Sequence, residues 1–289
     1  MNELTILDGG MGGELIARGQ SKKNGLWSAE ALLAAPETVA AVHRDYVKAG
    51  ASVIITNSYS TIPSYLAKGG MEDRYIELTQ LAGQIARGVA DEFDGRVRVA
   101  GSLPPLDESY RFDLAPPDEE ARPVYESIVD ALSPYVDLFV CETMACAREG
   151  RNAALAAAGS GKPFWVSWSL HEQPGQGLRS GETIEQAHAA VVDLAPDAYL
   201  FNCSTPEAIS AAIAGLREVT DRPVGVYPNL LHIPTSWTLD NDVNAEYREL
   251  TVEGYVEFAQ RWRKEGVSII GGCCGIGPRY IEALAAAER

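Results

Sequence analysis

The stretch TVEGYVEFAQRWRKEGVSIIGGCCG, from Thr251 to Gly275, contains a predicted helix, a predicted strand and a pair of cysteines in direct succession. Its first half carries apolar side chains at helical spacing and ends at Gly266, a residue type that commonly follows a helix. The apolar positions are Val252, Tyr255, Val256, Phe258 and Ala259. The segment Ser268–Ile270 then predicts a short buried strand, so Cys273 and Cys274 follow the carboxyl end of that strand.

The same unit of helix followed by strand recurs along the chain. Pro36–Ala49, for example, has one apolar stripe and leads through Gly50 into another strand. The predicted strands are Thr5–Leu7, Ser52–Thr56, Val97–Ala100, Leu138–Cys141, Phe164–Ser167, Ala198–Phe201, Val224–Val226 and Ser268–Ile270. Most are apolar on both faces, as parallel strands covered by helices must be. We therefore expect an α/β fold in which residues 1–289 form a single (β/α)8 TIM barrel, a fold of ~250 residues; an open doubly wound sheet is the alternative.

Polar or reactive side chains follow every predicted strand. In chain order they are Asp8, Asn57, Ser102, Glu142, Trp168, Cys203, Asn229 and the pair Cys273 and Cys274. Only a closed ring of strands brings all of these ends together, which favours the barrel. The longest irregular stretches, Leu103–Pro117 and Asn229–Arg248, also follow strands. Because a barrel keeps its active site in the loops after its strands, we expect the site at this end.

The charge of the chain narrows the classes of partner. Its 289 residues include 24 Lys and Arg against 40 Asp and Glu, a formal net charge of −16. No cluster of basic side chains interrupts this acidity, so we expect no nucleic acid partner.

There is no apolar run of about 18 residues and no signal-peptide pattern at the start, so we expect no membrane segment and a cytoplasmic protein. The sequence does not indicate an oligomeric state.

Three of the five cysteines are placed to share one metal ion. Cys203 ends the sixth strand, and the glycines around Cys273 and Cys274 allow both thiols to turn toward one centre. The sixth and eighth strands of a barrel are separated by one strand, so these thiols would converge. Three thiolates suit Zn2+ at ~2.3 Å and leave the fourth position open, as in catalytic sites. Two packed thiols, or a disulfide within the adjacent pair, are the alternatives.

The other two cysteines serve as a contrast. Cys141 precedes Glu142 in the fourth strand, so it points away from the face that Glu142 occupies and is expected to pack in the core. Cys146 begins the next helix and is expected to be either a fourth ligand or a buried thiol. An odd number of irregularly spaced cysteines argues against a disulfide framework.

Three motifs together resemble the homocysteine S-methyltransferase family: GGCCG at Gly271–Gly275, NC at Asn202–Cys203 and LDGGMGGEL near the start of the chain. Further strings follow in the order and at about the spacing found in members that use S-methylmethionine or S-adenosylmethionine. They are GLWSAEAL (Gly25–Leu32), ITNSYST (Ile55–Thr61), GSLPP (Gly101–Pro105), CETM (Cys141–Met144) and YPN (Tyr227–Asn229). The resemblance covers nearly the whole chain. It implies a barrel, Zn2+ on Cys203, Cys273 and Cys274, and transfer of a methyl group to the sulfur of homocysteine, giving methionine.

The sequence departs from the family pattern in three loops after strands. Gly13 stands where the family usually has Thr, and GSLPPLDESY (Gly101–Tyr110) replaces the common GSLGPYG. LLHIPTSW (Leu230–Trp237) replaces a segment that usually opens with small and acidic residues. The metal ligands are unaffected, so the departures concern the methyl donor and, to a lesser extent, the acceptor.

The resemblance also implies partners for the amino acid end of homocysteine. Asp8 and Glu142 match the residues with which the family binds the ammonium group. The backbone amides of the turn Gly9–Gly13, including those of Gly10 and Met11, are expected to bind the carboxylate. The alternatives are that Asp8 caps the turn after it and that Glu142 belongs to a structural ion pair.

A sulfonium or ammonium donor is expected to be held by the faces of aromatic rings. Trp27 is the first candidate, because it lies in the string that resembles the S-methylmethionine-using members; packing of its loop against the barrel is the alternative. Tyr59 is the second candidate. Asn57 and Ser102 are expected either to contact substrate or to brace the loops.

The chain contains four histidines. His171 and His232 lie on loops after strands and are weaker candidates for a donor contact, whereas His43 and His188 lie in helices and are expected at the surface or in packing.

Competing functions on the same fold are methyl transfer from a betaine-type donor or to a related thiol, and a noncatalytic zinc or thiol sensor. A corrinoid-dependent transfer would need separate partner chains.

Overall fold

The structure, a computed structural model, describes residues 3–20, 26, 28–234, 237–238 and 246–289. Its strands are β1 (Thr5–Ile6), β2 (Val53–Ile55), β3 (Arg98–Leu103), β4 (Leu138–Met144), β5 (Phe164–Trp168), β6 (Ala198–Asn202), β7 (Val224–Tyr227), β8 (Leu231–His232), β9 (Glu246–Tyr247) and β10 (Ile269–Ile270). Its α-helices are α1 (Met11–Ala17), α2 (Ala29–Ala34), α3 (Pro36–Ala49), α4 (Pro63–Ala67), α5 (Tyr75–Asp91), α6 (Asp118–Leu132), α7 (Ala147–Gly159), α8 (Ile184–Ala189), α9 (Pro206–Val219), α10 (Val252–Lys264) and α11 (Pro278–Ala287). Short 3-10 helices occupy Glu72–Arg74, Phe112–Leu114 and Val192–Leu194.

One eight-stranded parallel sheet closes on itself. Its order is β1, β10, β7, β6, β5, β4, β3, β2, and each neighbouring pair runs parallel. The two ends meet where Leu7 pairs with Val53, and the amide of Ser52 donates to the carbonyl of Ile6 at 2.8 Å. The amide of Asp8 also donates to the carbonyl of Val53 at 3.1 Å. The predicted closed (β/α)8 barrel is therefore confirmed, and the open sheet is excluded.

The barrel has two apolar layers. Inside the ring, the strands pack together the side chains of Leu7, Val53, Ala100, Leu138, Val140, Trp165, Ala198, Leu200, Tyr227 and Ile269. A larger cluster joins the outer faces of the strands to the helices. Val140 belongs to the inner layer and Cys141 to the outer layer, because successive residues of a strand point to opposite faces. Cys141 is a buried core residue, as predicted.

Five strands continue beyond their predicted ends; β5, β6 and β7 do so by one residue each, and β3 and β4 by three. β3 reaches Leu103 and β4 reaches Met144, so Ser102 and Glu142 lie inside strands rather than after them. The register of β4 against β5 shifts between Cys141 and Met144, which marks a bulge. A bulge adds a residue to one strand and breaks the regular alternation from which strand ends are predicted.

The two helices from which the fold was predicted both form. α3 ends at Gly50, whose φ of 114° is left-handed, and α10 begins after Thr251. The hydroxyl of Thr251 accepts from the amide of Gly254 at 3.1 Å and so caps the helix. Among the residues that the structure describes, no helix is both long and apolar enough to cross a membrane.

The two long loops lie at one end of the barrel because all its strands run in parallel. The loop after β3 contains the 3-10 helix Phe112–Leu114, and the loop after β7 contains the antiparallel pair β8 and β9. Cys203, Cys273 and Cys274 follow β6 and β10 at the same end. The carboxyl ends of the strands thus form the mouth of a candidate site.

Candidate active site

Three thiols lie together at the mouth of the barrel. The Sγ atoms of Cys203, Cys273 and Cys274 are all within 4.8 Å of one another. Cys203 and Cys273 form a disulfide, whereas Cys274 is a free thiol, so the adjacent pair is not the one that is bonded. Sulfurs bound tetrahedrally to one Zn2+ at ~2.3 Å stand ~3.8 Å apart, so the three thiols in reduced form fit a zinc ion.

The backbone turns sharply at Cys203. This residue directly follows β6 and has φ of 44°, in the left-handed region that residues other than glycine rarely occupy. The turn brings its sulfur beside the loop after β10. Cys146 lies apart from this group: it is the N-cap of α7, and the converging cluster found in the described residues does not include it.

The loop after β1 packs backbone against backbone on the cysteine loop. A Cβ at Gly10 would lie 2.7 Å from the carbonyl oxygen of Cys273 and 3.2 Å from the Cα of Cys274, so only glycine fits. The amide of Gly10 donates to the carbonyl of Ile276 at 3.0 Å. That amide is already engaged in this structure, and its role in binding the carboxylate stays a prediction. Gly13, by contrast, has open space where a Cβ would lie.

Asp8 lies at the junction that closes the barrel. Its Oδ2 accepts from the amide of Ile55 at 2.9 Å, and its carbonyl accepts from the amide of Gly272 at 2.9 Å. Burial raises the pKa of the carboxyl well above its ordinary value; the amide of Ile55 opposes the rise and the charge of Glu142 adds to it.

Glu142 is held by hydroxyl groups from two other strands. Ser102 Oγ donates to Oε1 at 2.5 Å, and the hydroxyl of Tyr227 donates to Oε2 at 3.3 Å. Burial raises the pKa of Glu142 to about 7, although both hydroxyls favour the charged form. Ser102 therefore braces the carboxylate itself. Tyr227 was not predicted as a site residue, although its place at the end of an apolar strand, in YPN, was a usable signal.

The two carboxylates have no cationic partner in the described part of the chain. Among the described residues, the main causes that shift the pKa of Asp8 and of Glu142 include no Lys, Arg or His, and both carboxyls are buried. Burying an unpaired charge is strongly unfavourable. The pair is therefore suited to a ligand with a positive group, such as an ammonium.

Asn202 organises the bulge beside Glu142 and was not predicted. Its Oδ1 accepts from the amide of Thr143 at 2.8 Å and from Ser167 Oγ at 2.7 Å, and its Nδ2 donates to Thr143 Oγ1 at 2.8 Å. Thr143 has φ of 63°, a conformation that β-branched residues rarely adopt. The signal was an amide side chain directly before Cys203, but its partners in other strands could not be inferred from spacing.

The other predicted contacts are distributed around the mouth. Asn57 Nδ2 donates to the carbonyl of Ser28 at 3.2 Å, and the hydroxyl of Tyr59 shares a hydrogen bond with Ser109 Oγ at 2.7 Å. Both residues therefore brace loops in this structure. Met11 is the first residue of α1, directly after Gly9 and Gly10. Trp27 lies outside the described residues.

The histidines have structural partners or are buried. His171 Nδ1 accepts from the amide of Gln173 at 3.0 Å and braces its own turn. His232 Nδ1 lies 2.7 Å from Glu172 Oε2 on the loop after β5. His43 and His188 are buried on the inner sides of their helices, so they belong to packing.

Residues 5–287 match the family described as homocysteine S-methyltransferase. Homocysteine S-methyltransferase 4 of Zea mays is 31% identical, across 98% of this chain and 89% of that protein. Homocysteine S-methyltransferase YbgG of Bacillus subtilis is 29% identical, across 99% of this chain and 95% of that protein. The crystal structure of the homocysteine methyltransferase MmuM from Escherichia coli, metallated form, has a TM-score of 0.82 at 29% identity and covers 99% of this chain and 96% of that chain.

These likenesses agree with the closed barrel. They extend over almost all of this chain and of the relatives, so they concern the whole fold rather than one motif. The chain belongs to the homocysteine S-methyltransferase family and is an enzyme that transfers methyl groups.

Proposed function

We propose that this enzyme moves a methyl group from a sulfonium donor, S-methylmethionine or S-adenosylmethionine, to the thiolate of homocysteine, using Zn2+ held by Cys203, Cys273 and Cys274. The observation that carries the proposal is that these three cysteines meet at the same barrel mouth as two buried carboxylates, which have no cationic partner among the described residues. The existence of a metallated form of the E. coli relative supports the presence of a metal.

The residues of the chain hold the acceptor at both of its ends. Asp8 and Glu142 bind the ammonium group of homocysteine, and Ser102 with Tyr227 fixes the orientation of the Glu142 carboxylate. The substrate sulfur then reaches the cysteine cluster. Cys203, Cys273 and Cys274 would hold Zn2+ there, and the ion would supply a Lewis acid that keeps a thiol deprotonated at neutral pH.

The charges of the reactants favour a sulfonium donor. The electron pair of the homocysteine thiolate forms the new carbon–sulfur bond, and the old bond breaks with its pair remaining on the donor sulfur. An anion and a cation thus become two neutral thioethers. No general base is needed, because the acceptor is already deprotonated, and the excess of acidic residues in the chain attracts a cationic donor.

The disulfide between Cys203 and Cys273 favours a second candidate, a thiol redox sensor on the same fold. A sensor would cycle between disulfide and dithiol without turning over a methyl donor.

Thiols that bind a metal persist in reducing compartments, which supports a cytoplasmic location for the enzyme.

The test is metal analysis of reduced, purified protein together with a panel of S-methylmethionine, S-adenosylmethionine and betaine, with methionine formation as the readout. We expect about one Zn per chain and the fastest turnover with a sulfonium. Faster turnover with betaine would contradict the proposed donor. Thiols that oxidise and reduce reversibly, without methionine from any donor, would favour the sensor.

A further inference from the structure

Loops after three different strands meet around the side chain of Arg179. Arg179 follows β5, where its Nη2 donates to Oε1 of Glu172 at 2.7 Å. Its Nη1 donates to the carbonyl of Ile233, on the loop after β7, at 3.3 Å. Its Cζ lies 4.8 Å from the ring centroid of Tyr110, on the loop after β3, and Trp237 packs edge-on against that ring at 5.9 Å. We refer to these five residues as the arginine cluster.

The guanidinium of Arg179 is buried but not fully paired. Its side chain is 4% exposed, and its Nε has no hydrogen-bond partner within the described ranges. The Glu172 carboxylate is shared between two partners, because its Oε1 accepts from Arg179 and its Oε2 lies 2.7 Å from His232 Nδ1. Since a buried N–H without an acceptor is strongly unfavourable and guanidinium groups pair well with carboxylates, the free donor points to an anionic ligand group.

Tyr110 connects the arginine cluster to the thiols. Burial raises the pKa of its phenol, with the charge of Cys274 adding to the rise and Arg179 opposing it, so both groups lie within electrostatic range of one ring. Its φ of 69° is left-handed, a strained conformation that tends to occur at functional sites.

We propose that Arg179 binds the carboxylate of the methyl donor and so selects donors that carry both an onium centre and a carboxylate. This inference rests on the proposed function. The donor is favoured over the acceptor because the proposed partners of the homocysteine ammonium group are Asp8, which follows β1, and Glu142, which lies in β4. The arginine cluster instead joins the loops after β3, β5 and β7, where Tyr110 and Trp237 supply aromatic rings for a cation.

The test measures donor binding to the reduced, zinc-loaded protein by calorimetry. The ligands are S-methylmethionine and its carboxamide, in which a neutral amide replaces the carboxylate. We expect the wild type to prefer the carboxylate form by about tenfold or more, and Arg179→Gln to abolish the preference without changing homocysteine Kd. Arg248→Gln is the matched control: Arg248 pairs with Glu207 at 2.9 Å on a partly exposed part of the same mouth, and its loss should leave the preference intact.

Equal affinity of the wild type for both ligands would overturn the inference, as would an Arg179→Gln protein that weakens both ligands by the same factor. If Arg179→Gln does not fold, Glu172→Gln provides the second test. Removing the carboxylate that competes for the guanidinium should tighten S-methylmethionine binding but not amide binding, and the absence of that difference counts against Arg179. The predicted preference without methionine formation would support the inference and contradict the proposed function.

Discussion

The two sides of the barrel mouth are built by different means. The metal side, formed by the loops after β1, β6 and β10, depends on glycines that let backbones touch: a Cβ at Gly271 would lie 2.4 Å from the Cβ of Leu7. The donor side, formed by the loops after β3, β5 and β7, depends on long side chains that meet around Arg179. A change of one side chain on the donor side can alter the ligand, whereas the metal side tolerates almost no added atom. If the two sides act as proposed, the comparison predicts that this mouth can vary its donor while keeping its metal.

The largest effect is expected from removing two thiols of the metal side. In Cys273→Ser/Cys274→Ser the hydroxyls are poor ligands for Zn2+, so we expect loss of the metal and a fall in activity of roughly a thousandfold or more. Metal analysis and methionine formation measure the two effects. A double variant that retains full zinc would show that the ligands lie elsewhere.

Cys141→Ala is the matched control for this variant. Cys141 is fully buried in the outer apolar layer, away from the cluster of thiols. We expect it to keep zinc and activity and to lose about 1–2 kcal/mol of unfolding free energy from the small cavity. Loss of zinc in Cys141→Ala would mean that the double variant reports on folding rather than on ligation.

A single methyl group should distinguish the tight contact of the metal side from open space. Gly10→Ala places a Cβ against the carbonyl of Cys273, so the cysteine loop must move and we expect at least about a tenfold loss of zinc affinity. Gly13→Ala meets no atom within 4 Å and lies inside α1, so it should leave zinc binding intact and stabilise the helix by up to about 1 kcal/mol. Competition with a chromophoric chelator measures both. Equal affinities in the two variants would contradict the tight packing.

Most of the metal side was predictable from the sequence because, apart from Cys203, its parts are close together in the chain. The glycines and cysteines of GGCCG are adjacent, and the strands on which the loops stand are short apolar runs between helices. Eight such runs alternating with helices left the open sheet as an alternative, and the polar or reactive residues after every strand favoured the closed barrel.

The missed residues depend on register, which is not local. Asn202 acts on Thr143 across β5, and Tyr227 reaches Glu142 from β7, so their roles appear only when the ring has closed and the bulge in β4 is placed. Arg179 and Tyr110 are further examples, since two long loops must fold over the mouth before their side chains meet. No spacing in the chain relates these pairs.

Glu142→Gln tests whether the acceptor is held independently of both the metal and the donor. The amide keeps the shape and the bond from Ser102 but not the charge, so the ammonium of homocysteine loses about 1.5–3 kcal/mol of binding, a rise in KM of roughly ten- to hundredfold. Zinc content and S-methylmethionine affinity should not change. Unaltered homocysteine kinetics would show that the Glu142 carboxylate has only a structural role. An equal loss of donor affinity would show that Glu142 affects both substrates, so that acceptor and donor are not bound independently.

The smallest effect on activity is expected at Glu149, a buried carboxyl that supports the donor side. Its Oε2 accepts from the amide of Ala145 at 2.7 Å, and the carbonyl of Ala145 accepts from the amide of Ser180, the residue after Arg179, at 3.1 Å. Burial raises the pKa of Glu149 from 4.5 to about 7. The amide of Ala145 and the charge of Arg148 oppose this rise, and Asp107 adds to it. The donor side therefore rests on a group that titrates near neutral pH.

Because the folded pKa of Glu149 is the higher one, the folded state keeps a proton that the unfolded chain releases. The resulting stabilisation is fully present below pH 4.5 and is lost as the pH rises through 7, on the order of 3 kcal/mol in all. Glu149→Gln keeps the acceptor for the amide of Ala145 but does not titrate. Its unfolding free energy, measured in urea, should therefore rise relative to that of the wild type between about pH 5 and pH 8. The exposed Glu120→Gln should follow the wild type, and zinc and homocysteine KM at neutral pH should stay unchanged. Parallel curves of unfolding free energy against pH for Glu149→Gln and the wild type would show that the carboxyl is ionised in the folded state as it is in the unfolded chain. The donor side would then gain no proton-linked stability from this residue.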